Sequence, residues 1–181
     1  PPDEELGRVI PVTPALDDRK LVVSLATRHA AVLTAAVAAG ARIINDVTAL
    51  TGDPESPAAA IRSGTDLVLM HMQGEPRTMQ VDPHYDDATL DLLDYFGDRL
   101  AALARLGMPL ERIAIDPGIG FGKKDPHNLL ILSELAAFQV FRCPVLLGVS
   151  RKSFTGRLSR GEPPKDRLPG SLAAALAGLD Q

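Results

Sequence analysis

Asp116 closes the apolar run Arg112–Asp116 and is followed at once by Pro-Gly-Ile-Gly-Phe-Gly-Lys, residues 117–123. A carboxylate at the end of such a run is partly desolvated, so its charge requires donor partners. Two N–H groups on the amidine-like edge of a heterocycle would satisfy it. So would the backbone of a turn before proline, and the residue alone leaves both readings open. Glycines 118, 120 and 122 permit positive φ and close approach of a ligand, with Phe121 projecting as an aromatic wall. The spacing is not that of a G-x-x-x-x-G-K-[ST] phosphate loop.

Three further sets of residues carry chemistry at comparable places. Asn45-Asp46 follows the run Ala41–Ile44, and the Asn amide can both donate and accept toward a ring edge or toward a loop backbone. Gly148-Val149-Ser150-Arg151-Lys152-Ser153 ends the run Pro144–Val149 with two cations, and Ser153 can open a helix whose amides receive a carboxylate. Met70-His71-Met72 ends Asp66–Met72, where the methionines read first as packing residues. His71 has no Cys, Asp or His at metal-ligand spacing, and His29, His84 and His127 read as structural or exposed. No Ser-His-Asp or Cys-His nucleophile set emerges.

The elements that must position these residues follow from hydrophobic patterning. Lys20–Ala26, Ala41–Val47, Asp66–Met72, Arg112–Asp116 and Pro144–Val149 are short, branched-aliphatic and apolar on both faces, as buried parallel strands are. Between them the composition predicts helices at His29–Ala39, Ser56–Ser63, Leu90–Leu106, His127–Phe138 and Ser171–Asp180, with Gly40 and Gly107 placed as C-caps. Alternating strand and helix means βαβ units on a parallel sheet, with function at the C-terminal strand ends. Four of the five predicted strands end in polar residues there.

Composition removes other classes. The chain has 181 residues, 45% hydrophobic, with a formal net charge of −4. Residues 142–168 carry seven basic and two acidic side chains, so the remainder is strongly acidic. That balance argues against nucleic-acid binding and suits a local anion site. No apolar run approaches the roughly 20 residues of a membrane span, and the single cysteine, Cys143, excludes an internal disulfide framework. A reducing, cytoplasmic compartment is the expectation.

Four motifs in register, IINDVTAL (43–50), LMHMQGEPRTMQ (69–80), IDPGIGFGKKDPHN (115–128) and GVSRKSF (148–154), resemble those of the dihydropteroate synthases, as do RVIPV (8–12) and RLPGSLAAAL (167–176). The resemblance implies an α/β fold of the TIM (β/α)8 type, with about five of eight strands in a single pterin-binding domain over residues 1–181. It implies condensation of 6-hydroxymethyl-7,8-dihydropterin pyrophosphate with p-aminobenzoate to 7,8-dihydropteroate, releasing pyrophosphate, with sulfonamides as inhibitors. Asn45, Asp116, Lys152, Met70 and Gly148 would bind the pterin, Lys152 also acting in catalysis. Phe121, Arg151 and Ser153 would shape the p-aminobenzoate site. Mg²⁺ and a homodimer through helices near the C-terminus are further implications.

The chain departs from that pattern in two respects. The first strand ends Ser24-Leu25-Ala26-Thr27, where the family reads S-[IV]-D-T, so a pterin-binding carboxylate is replaced by Ala26. One hydrogen bond to a charged group is typically worth about 1.5–3 kcal/mol. The family's N-V-T-P-D-S-F-S-D-G and G-x-E-S-[ST]-R-P-G loops and its final R-V-H-D segment have no counterparts, so no metal ligand carries over. A TIM barrel typically takes about 250 residues, and the expectation is a chain two strands short at its start and one at its end. Two other readings stand beside the synthase. One is a homologue that binds pterin or a partner without turnover. The other is a methyltetrahydrofolate-dependent corrinoid methyltransferase, against which Ser150-Arg151-Lys152 argues.

Overall fold

The computed structural model describes all residues, Pro1 to Gln181. Four strands, β1 (Ser24–Ala26), β2 (Ile43–Asp46), β3 (Asp66–Met70) and β4 (Ile113–Asp116), form one sheet in the order β1-β2-β3-β4. The pairs β1–β2 and β2–β3 are parallel, with Ala26 opposite Asn45 and Asn45 opposite Val68. The eight α-helices are α1 (Pro2–Val9), α2 (Thr13–Asp17), α3 (Ala30–Ala38), α4 (Ser56–Ser63), α5 (Ala88–Arg105), α6 (Asp125–Ser133), α7 (Ser153–Arg157) and α8 (Leu168–Leu179). Sequential strands lie side by side and helices connect them, which is the α/β class expected, of the TIM-barrel type.

The chain divides into two compact units, residues 1–70 with 98–115, and residues 71–97 with 116–181. The first has a core of strand and helix aliphatics, among them Val32, Leu33, Ile44, Leu67, Leu69, Leu103 and Ile115. Asp46, at the end of β2, is buried and accepts the Thr48 N–H at 2.7 Å, the Thr48 hydroxyl at 2.6 Å and the Leu50 N–H at 3.2 Å. It therefore shapes the turn after β2, in which Ala49 and Leu50 take left-handed φ of 50° and 63°. Arg99 donates to the carbonyls of both residues from α5. Burial pushes the Asp46 carboxyl above its usual range, and the Thr48 and Leu50 donors oppose that.

The second unit packs around Phe96, whose ring meets Phe138 edge-on with centroids 6.1 Å apart, with Leu92, Ile131 and Phe154 also buried. Four expectations change here. Pro144–Val149 is not a sheet strand; only Val145 forms an isolated bridge. The apolar content that suggested a strand leaves Leu146 exposed. Lys20–Ala26 contracts to Ser24–Ala26, because Lys20 sits in a left-handed turn at φ 61° and Leu21 and Val22 face solvent. The predicted helix His127–Phe138 starts earlier, at Asp125, and breaks at Glu134 into a 3-10 helix over Leu135–Phe141. The last helix begins at Leu168, with Pro169 in its first turn, where the missing N–H is no loss.

Asp46→Ala should leave the Thr48 and Leu50 donors without their acceptor and lower stability by about 2–3 kcal/mol. Chemical denaturation of the variant against the unchanged protein checks this.

Candidate functional site

In the second unit, Asp116 is 6% exposed and is tied twice to its surroundings. Its Oδ1 accepts the Gly118 N–H at 2.8 Å, and its carbonyl accepts the His71 N–H at 3.0 Å. Burial raises its carboxyl above the usual range, opposed by the Gly118 donor and the ammonium groups of Lys152 and Lys123. Gly148 lies against the other carboxylate oxygen, since a Cβ there would stand 3.7 Å from Oδ2. A Cβ at 148 would stand in van der Waals contact with that oxygen.

Lys152 stands at the junction of the Gly148–Arg151 segment and α7. Its Nζ lies 3.9 Å from the centroid of the Phe121 ring, a cation–π contact. Its stem passes Gly120, where a Cβ would be only 3.4 Å from Lys152 Cδ. Burial lowers its ammonium below the usual lysine range, and Asp116 opposes that. Asp116, Gly148, Phe121 and Lys152 thus assemble a buried acceptor, a cation and an aromatic face.

Arg151 and Ser153 flank this set differently. Arg151 is exposed with φ 54°, a left-handed conformation unusual for a side chain of its size. Its N–H donates to Ser171 Oγ at 2.7 Å, and Arg167 Nη1 donates to its carbonyl at 3.2 Å. Those two contacts, from α8 and the residue before it, hold the turn that presents Lys152. Ser153 opens α7 and lines an open cavity of about 510 Å³ with Gln80, Gly120, Lys123 and Arg157. Arg157 is itself engaged by Asp125 through two hydrogen bonds.

In the first unit, Asn45 lies near the end of β2 between Ala26 and Val68. Its Oδ1 is buried and accepts no hydrogen bond. An unmet buried acceptor is unfavourable by about 1–3 kcal/mol, which a donor on a bound molecule would relieve. Met70 is buried at the end of β3. A larger cavity of about 690 Å³ opens at the opposite, starting ends of the strands, lined by Arg42, Arg112 and Asp17. None of the candidate residues lines it, and in parallel α/β folds that end serves stability.

Sequence reasoning missed the residues behind the site. Lys123 is 2% exposed, and its Nζ reaches His71 Nδ1 at 2.9 Å and the carbonyls of Phe121, Gly118 and His71 at 3.0, 3.1 and 3.3 Å. The Tyr85 hydroxyl donates to the Gly122 carbonyl at 2.8 Å. Gly122, at φ 60°, has no room for a side chain, because a Cβ would meet the Gln73 carbonyl at 2.5 Å. The one signal available in the sequence was a lysine directly after a glycine loop. No group of three or more His, Cys, Asp or Glu is arranged to hold a metal ion.

The pterin-binding enzyme family matches residues 1–181. The chain is 42% identical over 180 residues to the dihydropteroate synthase of Escherichia coli, covering 99% of this chain and 63% of that protein. It overlays a structure of the Yersinia pestis dihydropteroate synthase with a sulfonamide drug complex at TM-score 0.94, with 40% identity, covering 98% of this chain and 64% of that one. It overlays the Xanthomonas albilineans dihydropteroate synthase in complex with 7,8-dihydropteroate at TM-score 0.92, with 39% identity, covering 99% and 66%. The chain therefore spans a little under two thirds of the length of these relatives.

His71 supplies a pH test of this arrangement. Burial first, and then the Lys123 charge, depress the His71 ring to about 3, against about 6.5 in an unfolded chain. The unfolded state then binds the extra proton, so stability is full above pH 6.5 and falls as pH drops from there toward 3. The loss is at most about 1.4 kcal/mol per pH unit. His71→Asn should flatten that slope by one proton, read as the difference between the two proteins in denaturant titrations from pH 6 to pH 4. The raised carboxyls of Asp46 and Asp116 act in the opposite sense in both proteins and cancel in the difference.

Proposed function

Because the chain belongs to the pterin-binding enzyme family, we propose that it binds a dihydropterin pyrophosphate and p-aminobenzoate and joins them as a dihydropteroate synthase. The observation that carries this reading is the buried Asp116 carboxylate beside Lys152, whose ammonium covers the Phe121 ring. A 2-amino-4-oxopteridine is complementary to that set. Its amidine-like N–H edge suits the Asp116 oxygen left over from Gly118, and its oxo and ring-nitrogen edge suits Lys152. The unmet Oδ1 of Asn45 is assigned a further pterin donor. Gly148 keeps the approach to Asp116 open, and Met70 is assigned an apolar contact.

The reaction is a substitution at the exocyclic methylene of the pterin. The arylamine nitrogen attacks that carbon, the C–O bond to pyrophosphate breaks, and the amine gives up a proton. No protein nucleophile takes part. Lys152 is assigned the polarisation of the pterin edge, and Phe121, Arg151 and Ser153 the arylamine acid. Ser153 supports that role by lining the 510 Å³ cavity next to Gly120. The Xanthomonas albilineans complex with 7,8-dihydropteroate and the Yersinia pestis sulfonamide complex support the same substrate pair and its inhibitor class. Mg²⁺ belongs to the family expectation, but the residues present offer no carboxylate or histidine cluster for it, and no step is derived through it.

Residues 1–181 are taken as one pterin-binding domain working in the cytoplasm. No helix is long and apolar enough to cross a membrane. A homodimer through the C-terminal helices has support from α8, where Leu168, Leu172, Leu176 and Leu179 are exposed at helical spacing. A second reading, pterin binding without turnover, is favoured by one feature. Ala26, directly beside Asn45 in the sheet, stands where the family pattern has a carboxylate.

Formation of dihydropteroate from the two substrates by the purified chain tests the synthase. Product at background level, with pterin binding intact by calorimetry, would select the second reading, and no pterin binding would reject both. Asp116→Ala and Lys152→Ala should each weaken pterin binding by about one to two decades, as loss of a charged hydrogen bond does. Ala26→Asp should tighten it by a similar factor. On sedimentation, Leu172→Glu with Leu176→Glu should yield a monomer while pterin binding persists; an unchanged oligomer would remove α8 from the interface.

A further inference from the structure

We propose that Lys123 is a positioning residue of this site, its ammonium binding together His71 and the glycine loop so that Asp116 and Phe121 are held ready for ligand. The inference rests on the pterin reading of Asp116 and Phe121. Taking an ammonium group out of water is strongly unfavourable, and an apolar side chain of similar size is usually tolerated better where packing is the only need. Lys123 is buried all the same, and none of its hydrogen bonds goes to a carboxylate. Its three N–H groups are shared among three carbonyls and the His71 ring nitrogen, all within 3.3 Å.

Those acceptors lie at the points that shape the site. His71 also donates its backbone N–H to the Asp116 carbonyl, so the chain leaving β3 is joined to Asp116 directly and through Lys123. Gly118 donates to the Asp116 carboxylate through its N–H and accepts from Lys123 through its carbonyl, which sets both sides of its φ of 68°. Phe121 accepts from Lys123 through its carbonyl while its ring lies under Lys152. Two further carbonyls of the loop are held by neutral side chains, Gly120 by Gln80 at 2.8 Å and Gly122 by Tyr85 at 2.8 Å. Lys123 is the charged tie in the loop, its Nζ engaged by the loop carbonyls and the His71 ring while the residue borders the cavity of about 510 Å³.

Its protonation then couples to ligand binding. Burial lowers the Lys123 ammonium to about 7, Asp116 opposes that shift and Lys152 adds to it. The other titratable groups facing it are His71, held neutral, the Tyr85 ring with its centroid 6.0 Å away, and His127 of α6. A ligand whose N–H edge requires an ionised Asp116 favours the protonated amine. Pterin affinity should therefore fall as pH rises through 7, by up to about tenfold between pH 6 and pH 8 for a single linked proton.

The experiment is calorimetric titration with 6-hydroxymethylpterin at pH 6 to 8, together with hydrogen exchange of the Gly118, Gly120 and Phe121 amides, on the unchanged protein and on Lys123→Met. The variant should bind at least tenfold more weakly at pH 6 and lose the pH dependence. Its loop amides should exchange faster while that of Ile44 does not. Native affinity with a native pH profile in the variant, or loop amides that exchange at the native rate, would overturn the proposal. If the unchanged protein binds no pterin, the reading of the site fails, and the amide exchange alone decides the role of Lys123. If Lys123→Met does not fold, loop protection relative to Ile44 is compared in the unchanged protein at pH 6 and pH 8.5. A fall at the higher pH supports the role, and constant protection refutes it.

Discussion

A carboxylate held out of water, at the point where an apolar strand gives way to a glycine loop, organises the second unit of this protein. Asp116 needs donors, and the chain supplies one from its own next turn, the Gly118 N–H, together with the cations of Lys152 and Lys123 nearby. The glycines follow from that need. Gly118, Gly120 and Gly122 all take positive φ, which lets the loop curl so that the Gly118 N–H reaches Asp116 and Phe121 meets Lys152. Gly148 keeps bulk away from the remaining carboxylate oxygen. One carboxylate oxygen is thus satisfied by the chain itself, and the other faces Gly148.

The supporting residues fix the backbone on which this arrangement stands. Arg151 is held in a left-handed conformation by Ser171 and Arg167, so the turn carrying Lys152 is anchored by α8. Lys123, Tyr85 and Gln80 tie down the glycine loop carbonyl by carbonyl. In the first unit Asp46 performs the corresponding service after β2, bonding the turn that begins just beyond Asn45. Groups proposed to touch substrate thus lie at the ends of β2, β3 and β4 and in the segments 117–123 and 148–153, whose backbone is held by side-chain hydrogen bonds. Such preorganisation reduces the ordering a ligand must impose when it binds.

Much of this was legible in the residues. Ser56–Ser63 is a helix with those bounds, Gly40 and Gly107 end helices with positive φ, and β2, β3 and β4 lie within the predicted runs. Short aliphatic runs and glycine stops are local signals, and their physics is local too. Pro144–Val149 was misread because apolar content alone does not say whether a neighbouring strand stands within reach of the backbone. The helix expected from Ser171 begins at Leu168, because proline at 169 fits the first turn of a helix as well as a turn.

Of the site, the sequence by itself determined the residue types that follow the apolar runs, Asn45, Asp116 and Lys152, and through four motifs in order, the family. Those are properties of neighbours along the chain. Only the tertiary structure decided that Lys152 lies over Phe121, that Gly148 borders the Asp116 carboxylate, and that Asn45 Oδ1 is buried without a donor. It alone revealed Lys123 and His71 as a buried pair, 52 residues apart in sequence and 2.9 Å apart in space. Burial and hydrogen-bond partners are set by which segments the fold brings together, so a lysine after a glycine loop reads the same in the sequence whether it is solvated or sealed inside.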